Sequence, residues 1–515
     1  MCAPTNQKPI FGLISIFFSY FVKDGFRMKE KVALVFLILT LLLTLVVFGV
    51  YTFSQSSFLV VEAEQHWETY GSGGTCIPGT HNLFVADIDA DDVMEIITGG
   101  LMYNVVNGTV TDLKAPLKIW NWNSQNLTLE KSHKWSGTIG CVHASDADGD
   151  GLIEIITAGS VRNSTGNYSS LRIWNWNGEE LILKASYEGT DVGSIFVSDV
   201  DKDGMPEIIT VGRVHSGDRS GAQLCIWHLQ GNSLTLQGDA QWFVANVTSA
   251  NSVYAYDLNN DGQIEIITGG YANELKNSSG QLRIWHWNGE ELSLKANEEW
   301  RLVEGVYALN IAGGVQGNTM VNNVKVGDVD GDGIPEIITG GFAYDGEKVT
   351  AQLRIWMWDG EALSLEESKE WVTDYLNEVK CISLNDVDGD SRIEIVTSGI
   401  VAAYGSFATN ETSPNTAQLR IWGWDGTTLA LRQSQDWTIG DGVCAWNVGT
   451  GDLDNDGTVE IVTVGCMGMN NLCDPDMRIW SIAPGLPVDF IIAAVASVAV
   501  IALAVAYLFA KRSRK

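Results

Sequence analysis

Between residues 59 and 480 the apolar positions fall in short runs rich in Val, Ile, Thr and Trp, bounded by Gly, Asp and Asn. Runs of this length and composition, with turn-formers at their ends, predict β-strands, and no helical period appears in the region. The runs also repeat. An acidic stretch followed by a β-branched run occurs seven times, beginning at Asp87, Asp146, Asp199, Asp257, Asp328, Asp386 and Asp452. The clearest copy reads Asp328-Val-Asp330-Gly-Asp332-Gly333-Ile-Pro-Glu336-Ile-Ile-Thr-Gly-Gly. An L-R-I-W-x-W segment follows, as in Leu353–Trp358, and then a segment that closes on Trp, as in Leu292–Trp300.

Spacing within a copy is tighter than the period between copies. From the loop Glu to the first Trp is 20 residues in five of seven copies, and from that Trp to the closing Trp is 15 in five of six, while the period itself runs from 53 to 71. A rigid unit with variable connections behaves in this way. Each unit predicts four strands: a, leading into the acidic loop (Asn323–Gly327 in the fifth copy); b, the Glu-Ile-Ile-Thr run; c, the L-R-I-W-x-W run; and d, ending at the closing Trp. Asn177-Gly178, Asn288-Gly289, Asp359-Gly360 and Asp425-Gly426 lie between c and d, which predicts type I′ turns.

Seven four-stranded units predict an all-β, seven-bladed β-propeller over residues 59–480. The last copy stops at strand c, Met477–Trp480, and the first is preceded by an orphan strand d, Leu59–Trp67. Pairing the two would close the ring and remove both open edges. The blades then take 18 of the 19 Trp, all but Trp446, as packing between blades rather than as a sugar platform or cofactor box.

Two uncharged apolar spans flank this region, Val32–Phe53 and Phe490–Ala510. Each is long enough to cross a bilayer as a helix. Lys23, Arg27, Lys29 and Lys31 precede the first, and Lys511, Arg512, Arg514 and Lys515 follow the second. Basic flanks at the outer ends put both termini in the cytoplasm and the repeats outside. Residues 1–31 are then a cytoplasmic N-terminal segment, 32–53 a transmembrane signal-anchor, 490–510 a transmembrane helix and 511–515 a basic cytoplasmic tail. A cleaved signal peptide is the other reading of 32–53, with Met28 as a possible start. Ile10–Val22 is too short to span.

Composition sharpens the picture where charge enters. The formal net charge of −31 argues against nucleic acid as a partner, and 19 Trp with 45% apolar residues exclude a disordered acidic chain. Much of the charge sits in the repeated loops, whose candidate metal ligands follow one pattern: acids at positions 1, 3, 5 and 9 with Gly at 6. They are Asp87, Asp89, Asp91 and Glu95; Asp146, Asp148, Asp150 and Glu154; Asp199, Asp201, Asp203 and Glu207; Asp257, Asn259, Asp261 and Glu265; Asp328, Asp330, Asp332 and Glu336; Asp386, Asp388, Asp390 and Glu394; and Asp452, Asp454, Asp456 and Glu460. Asp92 and Ser391 replace the Gly in the first and sixth.

Two carboxylates about 5 Å apart at an effective dielectric near 20 repel by roughly 3 kcal/mol, so four together call for a counter-ion. Hard oxygen donors in a flexible cage, with the carbonyl at position 7 completing it, suit Ca²⁺ better than Mg²⁺. An EF-hand is excluded, because its last acid stands at position 12 between helices. Up to seven Ca²⁺ would bring the charge from −31 to about −17.

On these loops and on the strands that follow them, the chain resembles the FG-GAP/VCBS repeat family, the repeat of integrin α-chain propellers, over roughly residues 59–480. It has Thr339-Gly340-Gly341 where Gly-Ala-Pro is usual, no Phe-Gly before strand a, and Glu at position 9 where integrins prefer Asp. The resemblance implies a propeller whose Ca²⁺ ions are structural.

Antiparallel order sets the acidic loops and c–d turns on one face, expected to look at the bilayer, and the b–c and d–a connections on the outward face. Long connections such as Arg301–Lys325, Ile400–Gln418 and Gly71–His81 lie on the latter. So do six of seven N-x-[ST] sequons (Asn107, Asn163, Asn167, Asn246, Asn277, Asn410), all but Asn126. Eight Cys show no metal spacing, and Cys466 with Cys473 would close a small loop in an oxidising compartment. His66, His81, His133, His143, His215, His228 and His286 are scattered, no nucleophile motif appears, and His143 and His286 read as strand residues. The expected function is a non-enzymatic, membrane-anchored binding or adhesion module for a protein or glycan. A Ca²⁺-dependent carbohydrate-active enzyme and a structural scaffold of the cell envelope are the alternatives.

Overall fold

The computed structural model describes residues 58–66, 82–106, 109–163, 166–189, 191–274, 278–302, 310–311, 314–315, 319–374, 376–402, 414–440, 442–467 and 474–483. Both apolar spans, and the bilayer orientation that follows from them, lie outside the described residues. Among the described residues there is no helix, and none long and apolar enough to cross a membrane. The chain divides into two units, and the description concerns Leu59–Ile482.

Strands fill that unit. β1 (Phe58–His66) comes first, then β2 (Asn82–Ala86), β3 (Glu95–Gly99), β4 (Met102–Val106), β5 (Thr109–Trp122), β6 (Leu127–Ser145), β7 (Glu154–Asn163), β8 (Gly166–Trp176) and β9 (Leu181–Glu188). They continue with β10 (Asp191–Ser198), β11 (Glu207–Ser216), β12 (Arg219–Gln230), β13 (Ser233–Trp242), β14 (Val247–Tyr256), β15 (Glu265–Asn273), β16 (Ser279–Trp287) and β17 (Leu292–Trp300). After the two-residue pair β18 (Asn310–Ile311) and β19 (Gly314–Val315) come β20 (Thr319–Gly327), β21 (Glu336–Tyr344), β22 (Val349–Trp358) and β23 (Leu363–Trp371). The last are β24 (Leu376–Asn385), β25 (Glu394–Ala402), β26 (Thr416–Trp424), β27 (Leu429–Trp437), β28 (Val443–Gly451), β29 (Glu460–Met467) and β30 (Asp474–Ala483).

Pairing groups them into seven four-stranded antiparallel units. The third is β10-β11-β12-β13, the fourth β14-β15-β16-β17, the fifth β20-β21-β22-β23 and the sixth β24-β25-β26-β27. β6 is long enough to be strand d of the first unit and strand a of the second. In the seventh, β28-β29-β30 is completed by β1 from the other end of the chain. Two contacts fix that join: Arg478 Nη1 lies 2.7 Å from Glu64 Oε1, and the Ser481 hydroxyl donates to Glu62 Oε1 at 2.5 Å.

Burial falls off from strand to strand. Strand b is buried on both faces, as in Glu336–Tyr344, which explains its unbroken apolar run. Strand d is mostly exposed and charged, as in Leu363–Trp371, the treatment expected of an outer edge. Seven apolar clusters lie between units. Each joins one unit to the next, and the cluster of Leu83, Ile96, Trp120 and Trp122 with Leu453, Val462, Met477 and Ile479 joins the seventh to the first.

The tryptophans hold these seams. The closing Trp of one unit meets the first Trp of the next, with ring centroids 5.0 Å apart in Trp242–Trp285, Trp300–Trp356, Trp371–Trp422 and Trp437–Trp480, and 5.2 Å in Trp135–Trp174. Tyr187 does the same for Trp227 at 4.6 Å. The Arg of L-R-I-W lies over the preceding unit's ring, as Arg354 does 5.0 Å from Trp300. In all seven units the first Trp donates its indole N–H to the Thr of strand b, from Trp120 to Thr98 through Trp480 to Thr463, at 2.8–3.2 Å.

Two residues beyond that Thr stands a Gly with a steric reason to be there. Strand a carries a β-bulge in six units, and the bulge brings its carbonyl onto this Gly. A Cβ on Gly341 would sit 1.9 Å from the Met320 oxygen, and one on Gly270 1.9 Å from that of Ser249.

The c–d turns differ from expectation. Gly178, Gly289, Gly360 and Gly426 have positive φ, but the Asn or Asp before each does not, so the turns are not type I′. That residue instead caps a four-residue loop: Asn177 Oδ1 accepts from the N–H groups of Glu179 (3.0 Å) and Glu180 (2.7 Å), and Asp359 Oδ1 from those of Glu361 (2.8 Å) and Ala362 (2.7 Å).

Candidate metal centres

Each acidic loop leaves strand a, turns through eight residues and re-enters at the first residue of strand b, which is the loop Glu. Three hydrogen bonds recur in all seven. The Asp at position 1 accepts from the N–H at position 6, for example Gly333 to Asp328 Oδ2 at 2.9 Å. The Asp at position 5 accepts from the N–H at position 7, for example Ile334 to Asp332 Oδ1 at 2.7 Å. The Glu at position 9 accepts from the N–H at position 2, for example Val329 to Glu336 Oε2 at 3.0 Å. The Asp at position 1 accepts on both oxygens in six loops, as Asp328 does from Gly331 and Gly333, while at positions 5 and 9 these bonds take only one oxygen.

Backbone conformation is equally uniform. Positions 4 and 6 have positive φ in every loop, including Asp92 (69°) and Ser391 (70°), the two residues that replace Gly. The departures noted in the sequence therefore leave the turn intact and cost about 1 kcal/mol each in local strain.

In five of the loops the structure brings three of the four predicted ligands together. Ligand atoms of Asp87, Asp89 and Glu95, of Asp146, Asp148 and Glu154, of Asp199, Asp201 and Asp203, of Asp328, Asp330 and Asp332, and of Asp386, Asp388 and Glu394 lie within 4.8 Å of one another. All seven Glu are buried, and burial beside the Asp carboxylates pushes them up: Glu95 to about 8, and Glu207, Glu336, Glu394 and Glu460 to about 7. Asp148, Asp199 and Asp454 each keep a buried Oδ1 with no hydrogen-bond partner. Spare, desolvated carboxylate oxygens of this kind fit a hard divalent cation.

The second loop is filled differently. Lys184 Nζ lies 2.6 Å from Asp148 Oδ2, 2.7 Å from Glu154 Oε1 and 3.9 Å from Asp150 Oδ2. A β-bulge in strand d, between the partners of Ile173 and Trp174, is where Lys184 stands. The same bulge recurs in five other units, at Glu130, Gln237, Lys295, Glu366 and Arg432. Reading the loops alone missed this residue. The signal was available, since it is the fourth residue of every Leu-x-Leu-x strand d.

Five of the loops, the first, third, fourth, fifth and seventh, are also met by the c–d turn of the following unit. A Cβ on Gly426 would lie 2.8 Å from Asp330 Oδ2, one on Gly289 3.0 Å from Asp201 Oδ2, and the Ser124 hydroxyl of the first unit bonds Asp454 of the seventh.

Of the other candidates, Cys141, Cys225, Cys381 and Cys444 are free and buried, and Cys466 is in a disulfide whose partner lies outside the described residues. Trp67, Cys473 and the sequons Asn107, Asn277 and Asn410 also lie outside them. His143 is a buried strand residue, and Trp446, the outlier of the Trp pattern, faces Lys380 across 4.4 Å.

No curated protein matches the chain. Residues 199–268, which run from the third acidic loop through one whole period to the Thr of the fourth strand b, match the FG-GAP-like repeat.

Proposed function

We propose that the seven units form a closed seven-bladed β-propeller, that its acidic loops bind structural Ca²⁺, and that it acts as a membrane-anchored, extracytoplasmic binding module for a protein or glycan. The observation that carries the reading is the sevenfold recurrence of one loop geometry, with three acidic side chains clustered within 4.8 Å in loops such as those of Asp87, Asp199 and Asp328 and with buried unpartnered oxygens on Asp148, Asp199 and Asp454. Support for the ring comes from the packing of the seventh unit on the first and from β1 completing the seventh.

Within it, the position 1, 3, 5 and 9 side chains would hold the ion and the position 7 carbonyl would complete the cage. Bound Ca²⁺ supplies positive charge that ties strands a and b of each unit together. The chain's own contribution is the pre-bent loop and, in five loops, the cover from the next unit's c–d turn. Binding would then fall to the connections on the opposite face, where a rigid scaffold carries variable loops. Absence of a nucleophile motif from the sequence makes a binding module the better reading than an enzyme.

Ca²⁺ titration of the full chain in detergent, followed by native mass spectrometry and thermal melting, tests this. Several ions per chain, up to seven, and a large rise in melting temperature are expected, because an ion held only by the folded form stabilises it. Melting and compactness indifferent to chelator would end the calcium reading. A glycan and protein array probed with the same preparation tests the binding role, and turnover of a glycan without stable capture would favour the enzyme.

A further inference from the structure

The innermost strands of the seven units, β2, β6, β10, β14, β20, β24 and β28, enclose a cavity of about 1110 Å³. In a chain of net charge −31, the lining contains Arg213, Lys325 and Lys380 and, among the described residues, not one carboxylate.

The three cations are not equivalent. Lys380 is answered by Glu378, 2.7 Å away. Among the described residues Arg213 bonds neutral partners alone, the Ser249 hydroxyl and the Tyr271 hydroxyl, each at 3.1 Å, near the end of the cavity remote from the acidic loops. Lys325 has no carboxylate within 4 Å among the described residues, and its ammonium lies 5.4 Å from the centre of the Tyr254 ring. Burial pushes this ammonium below the ordinary lysine range. A half-buried ammonium without a counter-charge is costly, whatever the ring face returns.

Beside Lys325 the wall is aromatic. At the same level of successive inner strands stand Phe84, His143, Phe196 and Tyr254, with neighbouring ring centroids 4.5, 5.7 and 4.3 Å apart. His143 is buried, and burial with Lys325 nearby holds it neutral, near a pKa of about 3. The arc therefore offers flat apolar surface, and the lysine beyond its end offers one unmatched positive charge. The cavity is as large as a typical small-molecule site, roughly 300–1,000 Å³.

We propose that this cavity binds a small organic carboxylate, with its anionic group on Lys325 and its apolar body against the arc of Phe84, Phe196 and Tyr254. Arg213, on the route in from the face opposite the acidic loops, draws the anion toward the site. The metal loops take no part, so this site stands or falls separately from the calcium reading.

Benzoate is the probe and benzyl alcohol its uncharged match, titrated into the full chain in detergent with Ca²⁺ present and followed by calorimetry. Benzoate is expected to saturate at one per chain and to bind at least tenfold more tightly than benzyl alcohol. Lys325→Met should lose that tenfold advantage and Lys325→Arg should keep it. Benzoate binding no better than the alcohol, or binding by Lys325→Met equal to that of the natural chain, overturns the proposal. If Lys325→Met does not fold, the comparison of the two probes on the natural chain decides alone.

Discussion

Lys184 shows how far one side chain can change a repeated site. Its ammonium occupies the space among Asp148, Asp150 and Glu154 that an ion would need. Lys184→Met is therefore expected to bind one more Ca²⁺ per chain than the natural protein, counted by native mass spectrometry. Equal counts would mean that the ion displaces the lysine.

The loop glutamates make a second prediction at this scale. Folding raises Glu95 to about 8 and Glu207, Glu336, Glu394 and Glu460 to about 7, first through burial and then through the neighbouring Asp charges. Unfolded Glu titrates near about 4.3. Between those values the folded, metal-free chain holds protons that the unfolded chain has released, so its stability is greatest below the lower value and is lost as pH rises through 7 to 8. Chelated protein should melt at a lower temperature at pH 8 than at pH 5, and Ca²⁺ should shrink the difference. Identical chelated melting at both values would contradict the picture of crowded, unmatched carboxylates.

At the scale of elements, the Thr-x-Gly within strand b is as much a packing device as the tryptophans. The Thr receives an indole N–H, and the Gly admits the carbonyl of a bulged strand a. Gly341→Ala would place a methyl group 1.9 Å from the Met320 oxygen and should cost on the order of 3 kcal/mol in chemical denaturation. Gly193→Ala, whose methyl would meet nothing closer than 3.5 Å, should be nearly neutral. Strong loss in the second variant, or none in the first, would show that bulge packing does not set the Gly. Strand order, the Trp seams and the acidic loops were all legible in the sequence, because each repeats one residue type at one spacing. The type I′ reading of the c–d turns failed because Asn-Gly and Asp-Gly also suit a longer loop, with the Asn177 or Asp359 side chain bonding the backbone. Cavity chemistry stayed hidden because its wall carries a different residue in each unit, among them Phe84, His143 and Lys325, so no pattern marks it until the strands are assembled.

At the scale of the whole molecule, stability rests on the join between chain ends. β1 covers the outer edge of β30, with Leu59 in the seam to the sixth unit and Ala63 in the seam to the first. Deleting residues 58–66 exposes that edge to other chains. Dimers or larger species are expected by size-exclusion chromatography, with a lower melting temperature. A monomer of unchanged melting would make the join dispensable.

The same join orders events during synthesis. Six units are made from contiguous or nearly contiguous chain and can form as they emerge, but β1 must wait for a partner about 400 residues downstream. Until translation reaches β30, β1 lacks the neighbour it pairs with and the seventh unit stays incomplete.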